Sequence, residues 1–197
     1  PFAEWYSYLP SNTPVIVEPK IDGCAMALRY VDGILVKAWT RKGVDKTYCM
    51  RMIEDLPKHI LARGTVEIRG ELYGKGLIPA RSQRLAAGHL RKKQPSGMGL
   101  SFCAFQIFDG KGTEISNLTQ LVKWGFHVCG YIKVDKDVVN RVKKLHSQWQ
   151  DSLIFSRYPT DGIVVKVLDK DLQEEIGRTS IAPSWATAIK DTWKKTW

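Results

Sequence analysis

A two-residue turn between two strand-like segments constrains the fold of this chain most strongly. Val31-Asp32-Gly33 joins the apolar, β-rich runs Cys24–Tyr30 and Ile34–Trp39. An Asp-Gly pair between two such runs is a strong signal for a β-hairpin. We therefore expect antiparallel β-structure in the first fifth of the chain.

The remaining periodic segments predict strands and helices without the regular spacing of βαβ units. β-Branched residues dominate Ile163–Val167, as is typical of strands. We therefore expect an α+β fold built on antiparallel sheets. The other predicted strands are Val15–Glu18, Thr65–Tyr73, Leu100–Phe108 and Asp161–Leu168, and the predicted helices are Lys46–Leu56, Arg84–Lys93, Asn117–Trp124 and Val138–Gln150.

The charge balance favours a polyanionic partner. The chain has 197 residues, with 30 Lys and Arg against 20 Asp and Glu, which gives a formal charge of +10. An excess of this size indicates nucleic acid as the most common kind of partner. It does not by itself distinguish a nucleic-acid enzyme from a basic domain that binds nothing.

The rest of the composition excludes several classes of protein. No apolar run approaches the ~20 residues that span a bilayer, and the N-terminal residues lack the pattern of a signal peptide. The cysteines are scattered, with no CxxC pair, which argues against a zinc site or a disulfide framework. We therefore expect a cytoplasmic protein. The four cysteines are Cys24, Cys49, Cys103 and Cys129.

Four short motifs contain the residues suited to chemistry. The first is Lys20-x-Asp22-Gly23, where a tight turn after a strand presents an amine beside a carboxylate. Roughly one chain in twenty of this length would contain this tetrapeptide by chance, and its structural alternative is a surface lysine in a β-turn. Three motifs follow it: Glu67–Glu71, with Glu67, Arg69 and Glu71 on one strand face, then Asp161–Lys166, and then Trp185–Lys190.

Together and in this order, these segments resemble motifs I, III, IV and V of the covalent nucleotidyl transferases. The particular residues within these motifs further resemble the adenylation domain of NAD-dependent DNA ligases. The resemblance extends from about Val15 to Lys190 and implies the antiparallel-sheet nucleotidyltransferase fold, which is ATP-grasp-like. Supporting stretches lie at residues 86–91, 124–128 and 177–186.

The resemblance implies that Lys20 attacks the α-phosphate of NAD and forms a lysyl-AMP adduct, releasing nicotinamide mononucleotide (NMN). The AMP would then pass to the 5′-phosphate at a nick in double-stranded DNA, which is sealed. An unperturbed lysine has a pKa near ~10.4 and is almost wholly protonated at pH 7, so nearby cations and desolvation are expected to assist it. The implied catalytic residues are Lys20, Asp22, Lys166 and Lys190.

The resemblance also implies positions that bind the nucleotide and the DNA. Glu71 would contact the ribose and Glu18 the adenine edge, while Phe105 would stack on the adenine or, equally well from sequence, fill the core. Magnesium is implied by the chemistry, with no metal ligand assigned. The full cofactor set is Glu18, Ile21, Gly23, Arg41, Glu71, Phe105 and Val164, and the DNA set is Arg84, Arg91 and Arg157, with Arg81 competing for the role of Arg84.

The sequence departs from the family pattern at both ends. We expect a short N-terminal segment (1–14), a nucleotidyltransferase domain (15–192) and a basic tail (193–197). The family's N-terminal NMN clasp and OB-fold would come from a separate chain or from missing domains, although Trp5, Tyr6 and Tyr8 suggest a reduced clasp. Two alternatives remain: an ATP-dependent DNA or RNA ligase, and a catalytically silent DNA-binding relative.

Overall fold

The computed structural model describes residues 2–177 and 183–190, which form two four-stranded sheets flanked by helices. The strands are β1 Val15–Ile21, β2 Cys24–Val31, β3 Ile34–Thr40, β4 Thr65–Gly74, β5 Leu100–Ile107, β6 Ile132–Val134, β7 Thr160–Val167 and β8 Ala186–Lys190. The helices are α1 Phe2–Ser7, α2 Thr47–Arg51, α3 Pro79–Arg91, α4 Glu114–Lys123, α5 Val138–Gln150 and α6 Lys170–Ile176.

The strands of each sheet pair in antiparallel fashion throughout. One sheet has the order β6-β1-β7-β8 and the other β3-β2-β4-β5. The chain passes from the first sheet to the second after β1 and returns after β5. This arrangement confirms the predicted α+β class.

The predicted hairpin is confirmed and connects β2 to β3. Asp32 and Gly33 adopt φ angles of 45° and 83°, which is the left-handed conformation that a tight two-residue hairpin turn requires. The Asp32 carboxylate also accepts a hydrogen bond from the Gly64 N–H at 2.8 Å. A Cβ at Gly33 would collide with the carbonyl oxygen of Ile60.

Helix boundaries were predicted less well, and the end of α2 is five residues from its predicted position. The predicted helix Lys46–Leu56 ends at Arg51. Beyond it, Asp55 turns toward β5, where its carboxylate accepts hydrogen bonds from the Ser101 hydroxyl and, at 3.2 Å, from the Phe102 N–H. These tertiary bonds hold the chain out of the helical path.

Two further helices begin earlier than predicted, and one is confirmed. α3 begins at Pro79, a residue that suits the first turn of a helix. α4 begins at Glu114 because Thr113 and Ser116 form a reciprocal capping box. α5 has the predicted bounds. The prediction missed three short elements, α1, β6 and α6.

Each sheet has one face against helices and the other toward its partner sheet. The buried cluster of the second sheet includes residues of α2, α3 and α4. The cluster of the first sheet includes residues of α1 and α5. Alternation along β1 puts Val15 and Val17 against the helices, whereas Glu18 and Lys20 point the opposite way, into the space between the sheets.

None of the helices in the described part of the chain has the length and apolar character needed to cross a bilayer. The basic tail and the 192/193 boundary lie outside the described residues, as does much of the 177–186 stretch.

Candidate active site

The space between the two sheets is a cavity of about 1090 Å³. Strands β1 and β7 supply one wall, and β2, β4 and β5 supply the facing wall. The predicted residues that line it are Glu18, Lys20, Ile21, Arg41, Glu71, Phe105, Val164 and Lys166. Two distant halves of the sequence therefore contribute to one pocket.

Lys20 is the second-last residue of β1 and lies directly opposite Gly162 of β7. Its Nζ atom donates a hydrogen bond to Oδ1 of Asp161 at 2.8 Å. The second oxygen of the same carboxylate, Oδ2, lies 3.9 Å from Nζ of Lys190 on β8. Asp161 therefore links two of the predicted catalytic lysines, a role that the sequence reasoning did not assign. The signal available was the Asp-Gly pair that opens the Asp161–Lys166 motif.

Asp22 and Gly23 lie at the turn after Lys20, outside the lining of the cavity itself. The Gly23 N–H donates to Oε1 of Glu71 at 3.2 Å and joins the motif I turn to the motif III strand. Burial and the nearby Asp161 raise the pKa of Asp22, while Lys20 and Lys190 act in the opposite direction. Lys190 is exposed and is not among the residues that line the cavity.

The Glu71 carboxyl of the cavity has a strongly raised pKa. Burial raises its pKa to about 8, against the opposing effects of the Gly23 N–H and Lys20 and with the help of Asp22 and Asp161. At neutral pH this carboxyl is therefore largely protonated. It presents a hydroxyl as well as an acceptor oxygen to whatever enters the cavity.

Glu18 and Lys166 form a buried ion pair with 2.5 Å between Oε2 and Nζ. Complete burial raises the pKa of Glu18, and Lys166 offsets this only in part. Burial opposes the charge of Lys166, yet its attraction to Glu18 and Glu114 raises its pKa, so Lys166 stays protonated. The Lys166 Nζ also donates to the Phe105 carbonyl at 3.3 Å and lies 5.0 Å from the centre of the Phe105 ring.

Phe105 lies on the cavity wall, as stacking on adenine would require, and not in the core, which was the alternative. Its ring is half-buried, lines the cavity and lies outside the hydrophobic core clusters. Val164 lies on the opposite wall. The two side chains therefore provide apolar surfaces suited to the two faces of a planar ring.

A second buried ion pair lies deeper, beside Lys166. Lys170 Nζ is 2.6 Å from Oε1 of Glu114, and the Gln173 amide donates to the same oxygen at 2.7 Å. Lys170 and Gln173 both line the cavity. No sequence pattern pointed to this group, because α6 and the start of α4, which carry it, were not predicted.

The three arginines assigned to DNA lie outside the cavity, and all are exposed. Arg84 and Arg91 are on α3, and Arg157 is on the turn before β7. α3 is fixed to the motif I turn because the Ser82 hydroxyl donates to the Asp22 carbonyl at 2.9 Å. The competing Arg81 is also an exposed residue of α3.

The aromatic residues near the N-terminus have structural contacts. Trp5 and Tyr6 pack against the core of the first sheet. The indole N–H of Trp5 donates to the Ser184 carbonyl at 3.0 Å. Tyr8 is exposed. None of the three is among the described residues that line the main cavity.

Within residues 2–177 and 183–190, no group of three or more His, Cys, Asp or Glu side chains is arranged to hold a metal ion.

Comparison with known proteins gives a consistent picture. The NAD-dependent DNA ligase adenylation domain family matches residues 4–193. The DNA ligase of Borrelia turicatae is 33% identical over 212 residues, covering 93% of this chain and 30% of that protein. The DNA ligase of Thermobifida fusca is 32% identical over 220 residues, covering 94% and 29%. The chain thus spans less than a third of the length of these relatives.

Solved structures support the fold. A Lig E DNA ligase superimposes with a TM-score of 0.56 at 18% identity, covering 90% of this chain and 62% of that one. An archaeal ATP-dependent RNA ligase superimposes with a TM-score of 0.54 at 14% identity, covering 95% and 44%. Identities this low show a shared fold alone. The family match, which extends over nearly the whole sequence, shows membership as well as fold. The chain belongs to the family of NAD-dependent DNA ligase adenylation domains.

Proposed function

We propose that this chain is the adenylating part of an NAD-dependent DNA ligase and that Lys20 carries the AMP. The observation that supports this most directly is the position of the Lys20 amine. It opens into the inter-sheet cavity, is held by Asp161 at 2.8 Å and has Lys190 across the same carboxylate. A nucleophile fixed in this way reacts with a phosphate bound beside it.

In the proposed reaction, Nζ of Lys20 passes a proton to the Asp161 carboxylate, to which it is hydrogen-bonded, and attacks the α-phosphorus of NAD, losing a second proton to water. An N–P bond forms, and the P–O bond to the nicotinamide mononucleotide breaks. The AMP then passes to the 5′-phosphate of a nick when a phosphate oxygen displaces the lysine. Finally, the 3′-hydroxyl attacks the activated 5′-phosphate and AMP leaves. Transfers of this kind depend chiefly on positioning and on charge stabilisation.

Different residues of the cavity would contact the adenine, the ribose and the phosphates of the nucleotide. Glu18 would bind the adenine edge, with Phe105 and Val164 against its faces, and Lys166, paired with Glu18, would supply a cation for the phosphate as the resemblance implies. Glu71 would bind the ribose, and Arg41 and Lys190 would lie nearer the phosphates. Ile21 and Gly23 would shape the turn beside Lys20, and Asp22 would balance the local positive charge. The burial of the Glu18–Lys166 pair and the exposure of Lys190 support placing the base inside and the phosphates toward solvent.

Nicked double-stranded DNA is the proposed second substrate. The exposed Arg84 and Arg91 on α3, and Arg157 beside β7, would contact its phosphates. Mg²⁺ would accompany the nucleotide phosphates, since a hard cation is commonly held by phosphate oxygens, waters and few carboxylates, and Asp22 and Asp161 supply carboxylates nearby. The relatives are more than three times as long as this chain. We therefore infer that 15–192 is the nucleotidyltransferase domain and that other domains or chains supply the NMN clasp and the OB-fold.

Intact mass after incubation with NAD and Mg²⁺, and in parallel with ATP and Mg²⁺, tests the proposal. Adenylation from NAD adds one AMP to the wild-type chain and none to Lys20→Ala. A mass gain of one AMP from ATP alone would replace the NAD assignment with an ATP-dependent ligase. Absence of label from either donor, with salt-sensitive DNA binding retained, would favour a silent DNA-binding relative. To make the test independent of the NMN clasp, a third arm supplies a pre-adenylated nick and measures its sealing.

A further inference from the structure

Two cysteines that are 26 residues apart meet on one wall of the cavity. Cys103 is on β5, and Cys129 follows α4 on the segment that leads to β6. The Cys129 N–H donates to Sγ of Cys103 at 3.2 Å. The two segments are tied together beside them, since the Ala104 N–H donates to the His127 carbonyl at 2.9 Å. This backbone bond holds the two segments together beside the cysteines.

The surroundings of Cys129 favour its thiolate. Its Sγ lies 4.0 Å from Nε2 of His127 and also interacts with the thiol of Cys103 and the hydroxyl of Tyr158. Burial opposes ionisation, yet these hydrogen bonds and the charge of His127 together lower the pKa of Cys129 to about 7. A thiol with a pKa near ambient pH is a good nucleophile toward disulfides.

The surroundings of Cys103 act in the opposite direction. Its interaction with Cys129 and its burial both raise its pKa. One thiol of the pair is therefore suited to attack, and its neighbour remains protonated until the first reaction has occurred. This asymmetry is what a reactive thiol and a resolving thiol require.

Position on the cavity wall, rather than exposure to solvent, distinguishes this pair from the other two cysteines. Cys103 and Cys129 both line the cavity that also contains Lys20, whereas Cys24 and Cys49 are not among its lining residues. Both side chains are largely buried, so a small molecule in the cavity meets only the part of each thiol that borders it. All four cysteines are free in the structure, so the pair is available for reaction.

We propose that Cys129 is a thiol-modification site that reacts with small-molecule disulfides entering the cavity, with Cys103 as the resolving thiol. The thiolate of Cys129 attacks one sulfur of the disulfide, forms a mixed disulfide and releases one thiolate. The thiol of Cys103, losing its proton, then attacks Sγ of Cys129 and releases the second thiolate. The protein dithiol is oxidised by two electrons to one disulfide, and the small disulfide is reduced to two thiols.

The site lies beside the nucleophile. Ile21, the residue after Lys20, packs in one buried cluster with Cys103, Cys129 and Tyr73. A group attached to Cys129 therefore occupies the cavity, and a bond to Cys103 alters the packing around Ile21, next to Lys20.

The test treats the reduced, folded protein with oxidised glutathione and follows intact mass and disulfide-linked peptides. We expect the wild type to lose two hydrogens, retain no glutathione and yield a Cys103–Cys129 peptide. Cys103→Ser should retain one glutathione on Cys129. A Cys24→Ser/Cys49→Ser control should react at the wild-type rate, because neither residue belongs to the pair.

Several results would overturn the proposal. These are a linked peptide containing Cys24 or Cys49, persistent glutathione on the wild type, or equal reaction rates for wild type and Cys129→Ser. If Cys129→Ser does not fold, two other results still test the proposal. They are the disulfide-linked peptide of the wild type and the glutathione adduct on Cys129 in Cys103→Ser. No readout depends on NAD or DNA, so failure here is distinct from failure of the proposed ligase function.

Discussion

The Nζ atom of Lys20 lies 2.8 Å from Oδ1 of Asp161, although 141 residues separate the two in the sequence. Strand pairing creates this contact, because Lys20 of β1 is opposite Gly162 of β7. The partly exposed ion pair has little expected effect on stability. Its significance is positional: it fixes where the amine lies in the cavity.

We expect Asp161→Asn to slow AMP attachment on the order of 10- to 100-fold, since a nucleophile that is misplaced by about 1 Å loses rate on this scale. Single-turnover mass measurements at several times would record the rate. Asp135→Asn is the control, because Asp135 forms a comparable exposed pair with Lys133 at the sheet edge, away from the cavity. Equal rates for Asp161→Asn and the control would contradict a positioning role.

The stability of the protein should depend on pH through Glu71. Its pKa is raised from 4.5 to about 8 in the folded state. The folded state therefore binds more protons than the unfolded state between these values, and the contribution of Glu71 to stability is lost as pH rises through about 8. Glu71→Gln removes this loss.

Urea unfolding at pH 5, 7 and 9 should show the free energy of unfolding of Glu71→Gln gaining on the wild type as pH increases. Glu4→Gln, on the exposed side of α1, controls for removal of a carboxylate as such. A constant difference between Glu71→Gln and the wild type at all three pH values would show that Glu71 ionises normally.

The buried Glu18–Lys166 pair should behave as a coupled unit. Lys166→Met leaves Glu18 buried without its nearest cation, and loss of one member of a buried pair destabilises by about 3–5 kcal/mol. The double variant Glu18→Gln/Lys166→Met should cost clearly less than the sum of the single changes. Additive costs in urea unfolding would rule out the coupling, and the exposed Lys133–Asp135 pair provides a reference cycle expected to give about 0–1 kcal/mol.

Gly23 should not tolerate a side chain. A Cβ there would collide with the carbonyl oxygen of Leu72, a backbone atom of the adjacent strand. Gly23→Ala should therefore destabilise by about 1–3 kcal/mol and weaken the hydrogen bond to Glu71. Gly88→Ala is the matched change, because a Cβ in this helix position meets nothing within 4 Å, and it should stabilise by about 0.5–1 kcal/mol. Thermal unfolding that ranks the two variants in the reverse order would contradict this account.

DNA affinity should depend on α3 independently of adenylation. Arg84→Ala and Arg91→Ala should each weaken binding to a nicked duplex and reduce the slope of log K against log salt by about 0.9 per lost phosphate contact. Fluorescence anisotropy at several salt concentrations measures both quantities. Lys143→Ala, an exposed change on α5 behind the first sheet, should alter neither. An unchanged slope in both arginine variants would place the DNA elsewhere.

The sequence alone determined the hairpin, the antiparallel class and the four ordered motifs. These signals are local: a turn needs particular residues at adjacent positions, and a strand face follows a period of two. The alternation of Glu67, Arg69 and Glu71 with the buried Ile68, Gly70 and Leu72 on β4 shows this, and it was predicted correctly.

Tertiary structure alone decided which groups touch. Asp161 beside Lys20, Glu114 beside Lys170 and Cys103 beside Cys129 each join residues at least 26 positions apart. The end of α2 at Arg51 likewise depends on Asp55 bonding to β5. No local pattern encodes such pairs, because strand register and the packing of two sheets across a cavity determine them. The family resemblance indicated which residues belong to the site, and the fold determined the charge that faces each of them.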